Sequence, residues 1–173
     1  MGKVHSAITI RDATDADLPG IFAIYNRHAL HGIATFDTAP RTMETHRDFL
    51  SKRDLTRHPV LVAVNDQGEV IGYASLSSWS DKCAYARAAE FSVYIRDDWQ
   101  GRGVGKALAH AIFERGPKGG VFVALSRIAI GKETEPSVRL HEELGFERIG
   151  VQRRVGEKFG RILDVLLMEK HLD

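Results

Sequence analysis

Between Glu90 and Phe113 the chain reads EFSVYIRDDWQGRGVGKALAHAIF, and this run limits the fold more than any other. It opens with the pattern of a strand and crosses a charged, glycine-rich turn. It then places Val104, Leu108, Ala111 and Ile112 on one helical face. A helix entered this way leaves its first amides unpartnered, and its dipole favours an anion in front of them. Gly103 and Gly105 let the backbone come close to such an anion, and Arg102 and Lys106 add positive charge. Two familiar phosphate loops do not fit. A Walker loop needs a hydroxyl where Ala107 stands, and a dinucleotide loop needs a third glycine where Leu108 stands. Two glycines alone are equally compatible with a tight turn that holds nothing.

The flanking sequence reads as alternating strands and helices. Ala7 to Arg11 is a short strand, and TDADLPGIFAIYNRHAL is a helix capped by Thr14, with Ile21, Ile24, Tyr25 and His28 on one stripe. TMETHRDFLSKRDL is a second helical stretch. PVLVAVN and VIGYASLSSW form a hairpin around Asp66-Gln67-Gly68. VFVALSRIAI has the pattern of a buried strand, and PSVRLHEELGF is a helix with Pro136 in its first turn and Gly145 at its stop. Two more strands flank GEKFG. Early hairpins followed by strand-helix-strand predict an α/β (α+β) domain spanning 1–173, with a part-antiparallel, part-parallel sheet.

Composition removes several classes. Lysine and arginine number 24 against 23 aspartates and glutamates, a net charge of +1, so nothing global points to nucleic acid or an acidic membrane. No apolar run approaches the roughly 20 residues of a membrane span, and MGKVHSAITI lacks the apolar core of a signal peptide. The single Cys83 allows no internal disulfide and predicts a reducing cytoplasm. His28 and His31 share a helical face, but no third ligand follows at metal-binding spacing, so no metal is expected.

Gln100-x-x-Gly103-x-Gly105 after EFSVYI resembles the acyl-CoA pyrophosphate loop of the GNAT N-acetyltransferase superfamily. SVYIRDDWQGRGVGKAL, EPSVRLHEELGF, VGEKFGRILDV and ATFDTAPRT are together similar to its phosphinothricin and methionine sulfoximine acetyltransferase group. The resemblance implies a mixed, strongly twisted sheet of about seven strands, two of them parallel and splayed to admit acetyl-CoA. Backbone groups of Val93 and Ile95 are then expected on the pantetheine arm, with Tyr94 beside them. Gly101, Arg102, Gly103, Val104, Gly105 and Lys106 are expected around the pyrophosphate, and the Val93 amide at the oxyanion.

The same resemblance assigns the chemistry. An α-amine is mostly ammonium at neutral pH and must lose a proton before it attacks. Glu90 is the implied base. His141 stands where the wider superfamily often has an acidic tyrosine, and its implied role is acid or base. Thr134 stands where relatives usually carry a pantetheine-contacting asparagine. Phe36 is the implied pocket wall, with Phe91 and Ser92 beside Glu90 against the substrate. Trp79 and Tyr85 are core or wall. Lys82 and Arg87 are the candidate cations for a substrate carboxylate, with Lys82 favoured because the resemblance places a cation at its position, whereas Arg87 is one residue off and one step along a strand changes face. Arg153 and Arg154 read as a solvated strand edge. A homodimer is implied, with GIATF and KFGRILDV contributing surface. The expected reaction is acetylation of the α-amine of a small amino-acid-like substrate. The alternatives are another small amine or ordinary amino acid as acceptor, or a non-catalytic acyl-CoA-binding module.

Overall fold

The computed structural model describes residues 7–173. Strand β1 (Thr9–Asp12) passes through a 3-10 turn into helix α1 (Leu18–His31), whose residues Leu18, Ile21, Phe22, Ile24, Tyr25 and Ala29 are buried. Asp17 fixes this entry, because its carboxylate accepts from the Thr14 amide at 2.8 Å and from the Arg11 guanidinium at 2.7 Å. Helix α2 is short, Met43–His46, and hydrogen-bonded turns replace the longer helix expected through Leu55. Of that expected segment only Leu50 is buried, so no apolar stripe sustains a longer helix.

Strands β2 (Val60–Val64) and β3 (Val70–Ser78) form the expected hairpin, which leads to β4 (Ala88–Ile95). Helix α3 (Val104–Phe113), β5 (Val123–Ala129), α4 (Glu135–Glu143), β6 (Glu147–Lys158) and β7 (Arg161–His171) complete the chain. The sheet order is β1-β2-β3-β4-β5-β7-β6. Alternation along the central strands sorts the side chains. Ala74, Leu76, Phe91 and Ala124 join the core with Leu108 and Ile112 of α3. Tyr73 packs with α1 on the other face, where the pairs Tyr73↔Tyr94, Ser75↔Ser92 and Ser77↔Glu90 lie across β3 and β4.

One junction differs from the rest. Strands β4 and β5 run parallel and pair only at Ala88↔Val123, Ala89↔Ala124 and Glu90↔Leu125. Beyond these three rungs β4 follows β3 to Ile95 while β5 follows β7 to Ala129, and the sheet opens between them. Around the opening, residues 32–42 are held by Lys158. Its buried ammonium donates to the carbonyls of His28 at 3.2 Å and Thr35 at 2.7 Å. Gly156 receives the Phe36 ring, with which any Cβ there would collide.

Candidate active site

Within a strand, consecutive residues send their amides and carbonyls to opposite neighbours. The Phe91 carbonyl faces β5, where it accepts from the Ser126 hydroxyl at 3.2 Å, so Val93 and Ile95 face the opening too. At the wide end the Gln100 side-chain amide donates to the Ile95 carbonyl at 3.3 Å. Val93 lies between these two substituted rungs, as expected for a strand edge that receives a ligand's amides.

A cavity of about 630 Å³ extends from this edge to the start of α3. Val93, Tyr94, Ile95, Gly101, Gly103, Val104, Gly105, Lys106 and Thr134 all line it. Gly103 caps α3 with φ 82°, and a Cβ there would meet nothing within 4 Å, so its open side is free for close approach. The first helical bond runs from the Ala107 amide to the Gly103 carbonyl, which leaves the amides of Val104, Gly105 and Lys106 ahead of the ladder. Gly105 has a different use: a Cβ there would press on Leu140 at 3.2 Å. Arg102 is not on the cavity wall; its guanidinium lies 4.9 Å over the ring of Trp99, which is. Lys106 reaches Glu143 at 3.3 Å. Thr134 lines the cavity but turns its hydroxyl to the carbonyls of Ala129 at 2.5 Å and Gly131 at 2.9 Å, where it secures the β5–α4 turn. His28 and His31 also line this cavity, and among the described residues no group of three or more His, Cys, Asp or Glu could hold a metal ion.

A second cavity, of about 600 Å³, lies on the α1 face and shares Ile33, Ala34 and Tyr94 with the first. Glu90, Ser92, Phe36 and Trp79 line it. Glu90 is half-buried, and burial raises its pKa while the Arg127 charge opposes the rise. Arg127 Nη1 lies 3.4 Å from the Glu90 carboxylate, and its guanidinium stacks over Trp79 at 4.2 Å. Three expectations fail here. Phe91 faces the opposite side of the sheet, in the core against Phe113 and Phe146, because it alternates with Glu90 and Ser92. Arg87 is on that odd phase as well and stacks on Phe122 at 4.3 Å, outside the cavity. Lys82 heads a 3-10 turn that carries it into solvent after β3 ends. Tyr85, also in that turn, is 49% exposed and lines neither cavity.

His141 is 4% exposed and lines neither cavity. Its Nδ1 lies 2.7 Å from the Ser137 carbonyl, a pure acceptor, so Nδ1 carries a proton. Nε2 lies 3.0 Å from the Ser126 hydroxyl, and Phe91 and Phe146 pack against the ring. Burial lowers the imidazole pKa, which keeps the ring neutral at pH 7. His141 therefore reaches the opening only through Ser126.

The geometry has clear counterparts among known proteins. Residues 23–146 match the model of the Acetyltransferase (GNAT) family. The chain belongs to the GNAT acetyltransferases. It is 40% identical over 165 residues to an L-methionine sulfoximine/L-methionine sulfone acetyltransferase of Pseudomonas paraeruginosa, covering 95% of each chain. It is 34% identical over 167 residues to a phosphinothricin N-acetyltransferase of Streptomyces coelicolor, covering 95% of this chain and 96% of that protein. A putative acetyltransferase from Salmonella typhimurium, solved with acetyl-CoA, superposes with a TM-score of 0.90 at 34% identity, over 97% of this chain and 95% of that one.

As a GNAT acetyltransferase the chain carries the family's mixed, splayed sheet, and the two cavities meet at its opening. Sequence reasoning missed Arg127 and Ser126, both inside a run that reads only as a buried strand. The signal was their parity: Arg127 and Ala129 share the face of Glu90, while Ser126 faces α4.

Proposed function

We propose that this GNAT enzyme transfers the acetyl group of acetyl-CoA to the α-amine of small amino acids, of the kind named for its methionine sulfoximine, methionine sulfone and phosphinothricin relatives. The observation that carries the reading is the Glu90–Arg127 pair, 3.4 Å apart in the cavity that opens onto the splay. An α-amino acid bears its ammonium and carboxylate on one carbon, so it inserts between the two side chains and gives each a new partner. Glu90 takes the ammonium proton, and its raised pKa suits that task. The freed amine attacks the thioester carbon and forms the C–N bond, with the Val93 amide at the oxyanion; the C–S bond then breaks, the nitrogen's second proton passes to the departing sulfur, and coenzyme A leaves through the splay as the thiol. Arg127 takes the place expected for Lys82 or Arg87. The three rungs ending at Glu90↔Leu125 and the Gly103 cap support acetyl-CoA as the cosubstrate.

Thiol release from acetyl-CoA, followed across a panel of amines, tests the reading. Release with methionine sulfone or phosphinothricin, and little with amines lacking a carboxylate, is the expected result. Binding of acetyl-CoA without release for any amine would instead identify a binding module.

Assembly as a homodimer in a reducing cytoplasm belongs to the same reading. Edge strand β6 exposes Ile149, Val151 and Val155, and Phe159 and Ile162 follow it, each about half exposed. Ile33 of GIATF, by contrast, is core. Sedimentation is expected to give twice the chain mass.

A further inference from the structure

The amine cavity contains three arginines but only two carboxylates to balance them. Arg127 faces Glu90, and Arg41 Nη2 lies 3.4 Å from Asp37. Arg53 has no carboxylate partner among the described residues. Its Nη1 donates to the Leu76 carbonyl at 3.1 Å, and its guanidinium lies over the Phe49 ring at 4.5 Å. Arg41 lies over the same ring at 5.5 Å, and its Nε is buried without a hydrogen-bond partner. Two guanidiniums thus pack on one aromatic ring, and only Arg41 has a carboxylate. Asp37 is itself engaged by the Tyr25 hydroxyl at 2.5 Å. Burial and the neighbouring Arg41 charge both lower the Arg53 pKa, the mark of a cation without enough counter-charge.

A zwitterionic substrate leaves this excess untouched, because its own two charges are matched by Glu90 and Arg127. We infer that Arg53 binds an anionic group at the end of the substrate's side chain, so that the enzyme selects acidic α-amino acids over neutral ones of the same shape. This rests on the α-amino acid reading above. The geometry allows it: Arg53, Glu90 and Arg127 all line the same cavity. Ser75 and Ser77 line the cavity floor in between.

Phosphinothricin and methionine sulfone provide the test, since both end in a methylated tetrahedral head and they differ by one negative charge. The wild-type enzyme is expected to show a kcat/KM at least roughly 10-fold higher for phosphinothricin; Arg53→Met should lower that value about 10- to 100-fold while methionine sulfone changes less than about 3-fold. Equal or better use of methionine sulfone by the wild type overturns the inference, and so does an equal loss for both compounds in the variant. Should Arg53→Met fail to fold by circular dichroism, Arg53→Lys carries the comparison. A reduced preference with unchanged sulfone turnover supports the assignment, and an unchanged preference overturns it. If no amino acid is acetylated at all, the parent reading fails and takes this one with it, whereas brisk acetylation of both compounds alike sinks only the role of Arg53.

Discussion

The Ser126 hydroxyl meets the Phe91 carbonyl at 3.2 Å, one residue beyond the last parallel rung between β4 and β5. A side chain here takes over the hydrogen bond that the ladder gives up. The same hydroxyl faces Nε2 of a neutral His141, so one proton serves two acceptors. On the function proposed above, His141 would then act as a positioning residue that steadies Ser126 at the throat. His141→Gln is expected to lower turnover by less than about 10-fold and to leave the shape of the pH–rate profile intact, against the 100-fold or more typical of a lost acid. Disappearance of the basic limb along with a larger loss would return the acid role to the imidazole.

Glu90→Gln should reduce turnover roughly 100-fold at neutral pH while acetyl-CoA affinity stays near wild type. The pH dependence gives a second readout. Burial holds the Glu90 pKa up and Arg127 holds it back, and only the ionised carboxylate accepts a proton. Activity therefore rises as pH climbs through that pKa. Arg127→Met removes the restraint, so the acidic limb of kcat/KM should move to higher pH. The same variant should raise KM for an amino acid far more than for its carboxyl-less amine. Equal effects on both amines, with an unmoved limb, would remove Arg127 from substrate binding.

Gly103→Val tests the cosubstrate loop. The residue sits at φ 82°, where a β-branched side chain is strained, and its Cβ would project into the open side of the turn. Acetyl-CoA binding measured by calorimetry should weaken at least about 10-fold, with the far-ultraviolet spectrum unchanged. Unaltered affinity in a folded variant would mean that the turn serves only the chain's path.

Lys158→Met removes the donor to His28 and Thr35 and leaves two carbonyls unsatisfied. Urea unfolding should show a loss of about 1–3 kcal/mol. Because the same contacts hold the segment bearing Phe36, KM for the amine should rise while acetyl-CoA binding is spared. A variant with normal stability and normal KM would show that the segment is held by other contacts.

How far the site was readable from sequence depended on the range over which each signal acts. Gly103, the α3 stripe and the β2–β3 turn are set by neighbours a few residues away, and they appear where periodicity and turn chemistry put them. Strand alternation from Glu90 already implied that Ser92 shares its face and that Phe91 and Arg87 do not. That inference was available, and the family likeness obscured it for Phe91. Arg127 could not be matched to Glu90 in advance, because the pairing depends on a parallel register between strands separated by a helix. Arg53 was hidden for a related reason: it lies in a stretch that reads as helix, and only tertiary contact with Leu76 and Phe49 turns it toward the cavity. The shortness of α2 was legible in retrospect from its lack of an apolar stripe.

The three rungs at Ala88, Ala89 and Glu90 are the sheet's seam. On one side stand β1 to β4, and on the other β5 to β7, each internally paired along its length. A molecule lying in the opening and bonding to Val93 acts as a substitute strand that stitches the two parts together. Such a ligand binds only the closed native arrangement, so by mass action its concentration sets part of the chain's resistance to unfolding. Amide exchange at Val93 and along the facing edge of β5 is the place where that dependence would be felt first, and the abundance of the protein would then track the supply of its own cosubstrate.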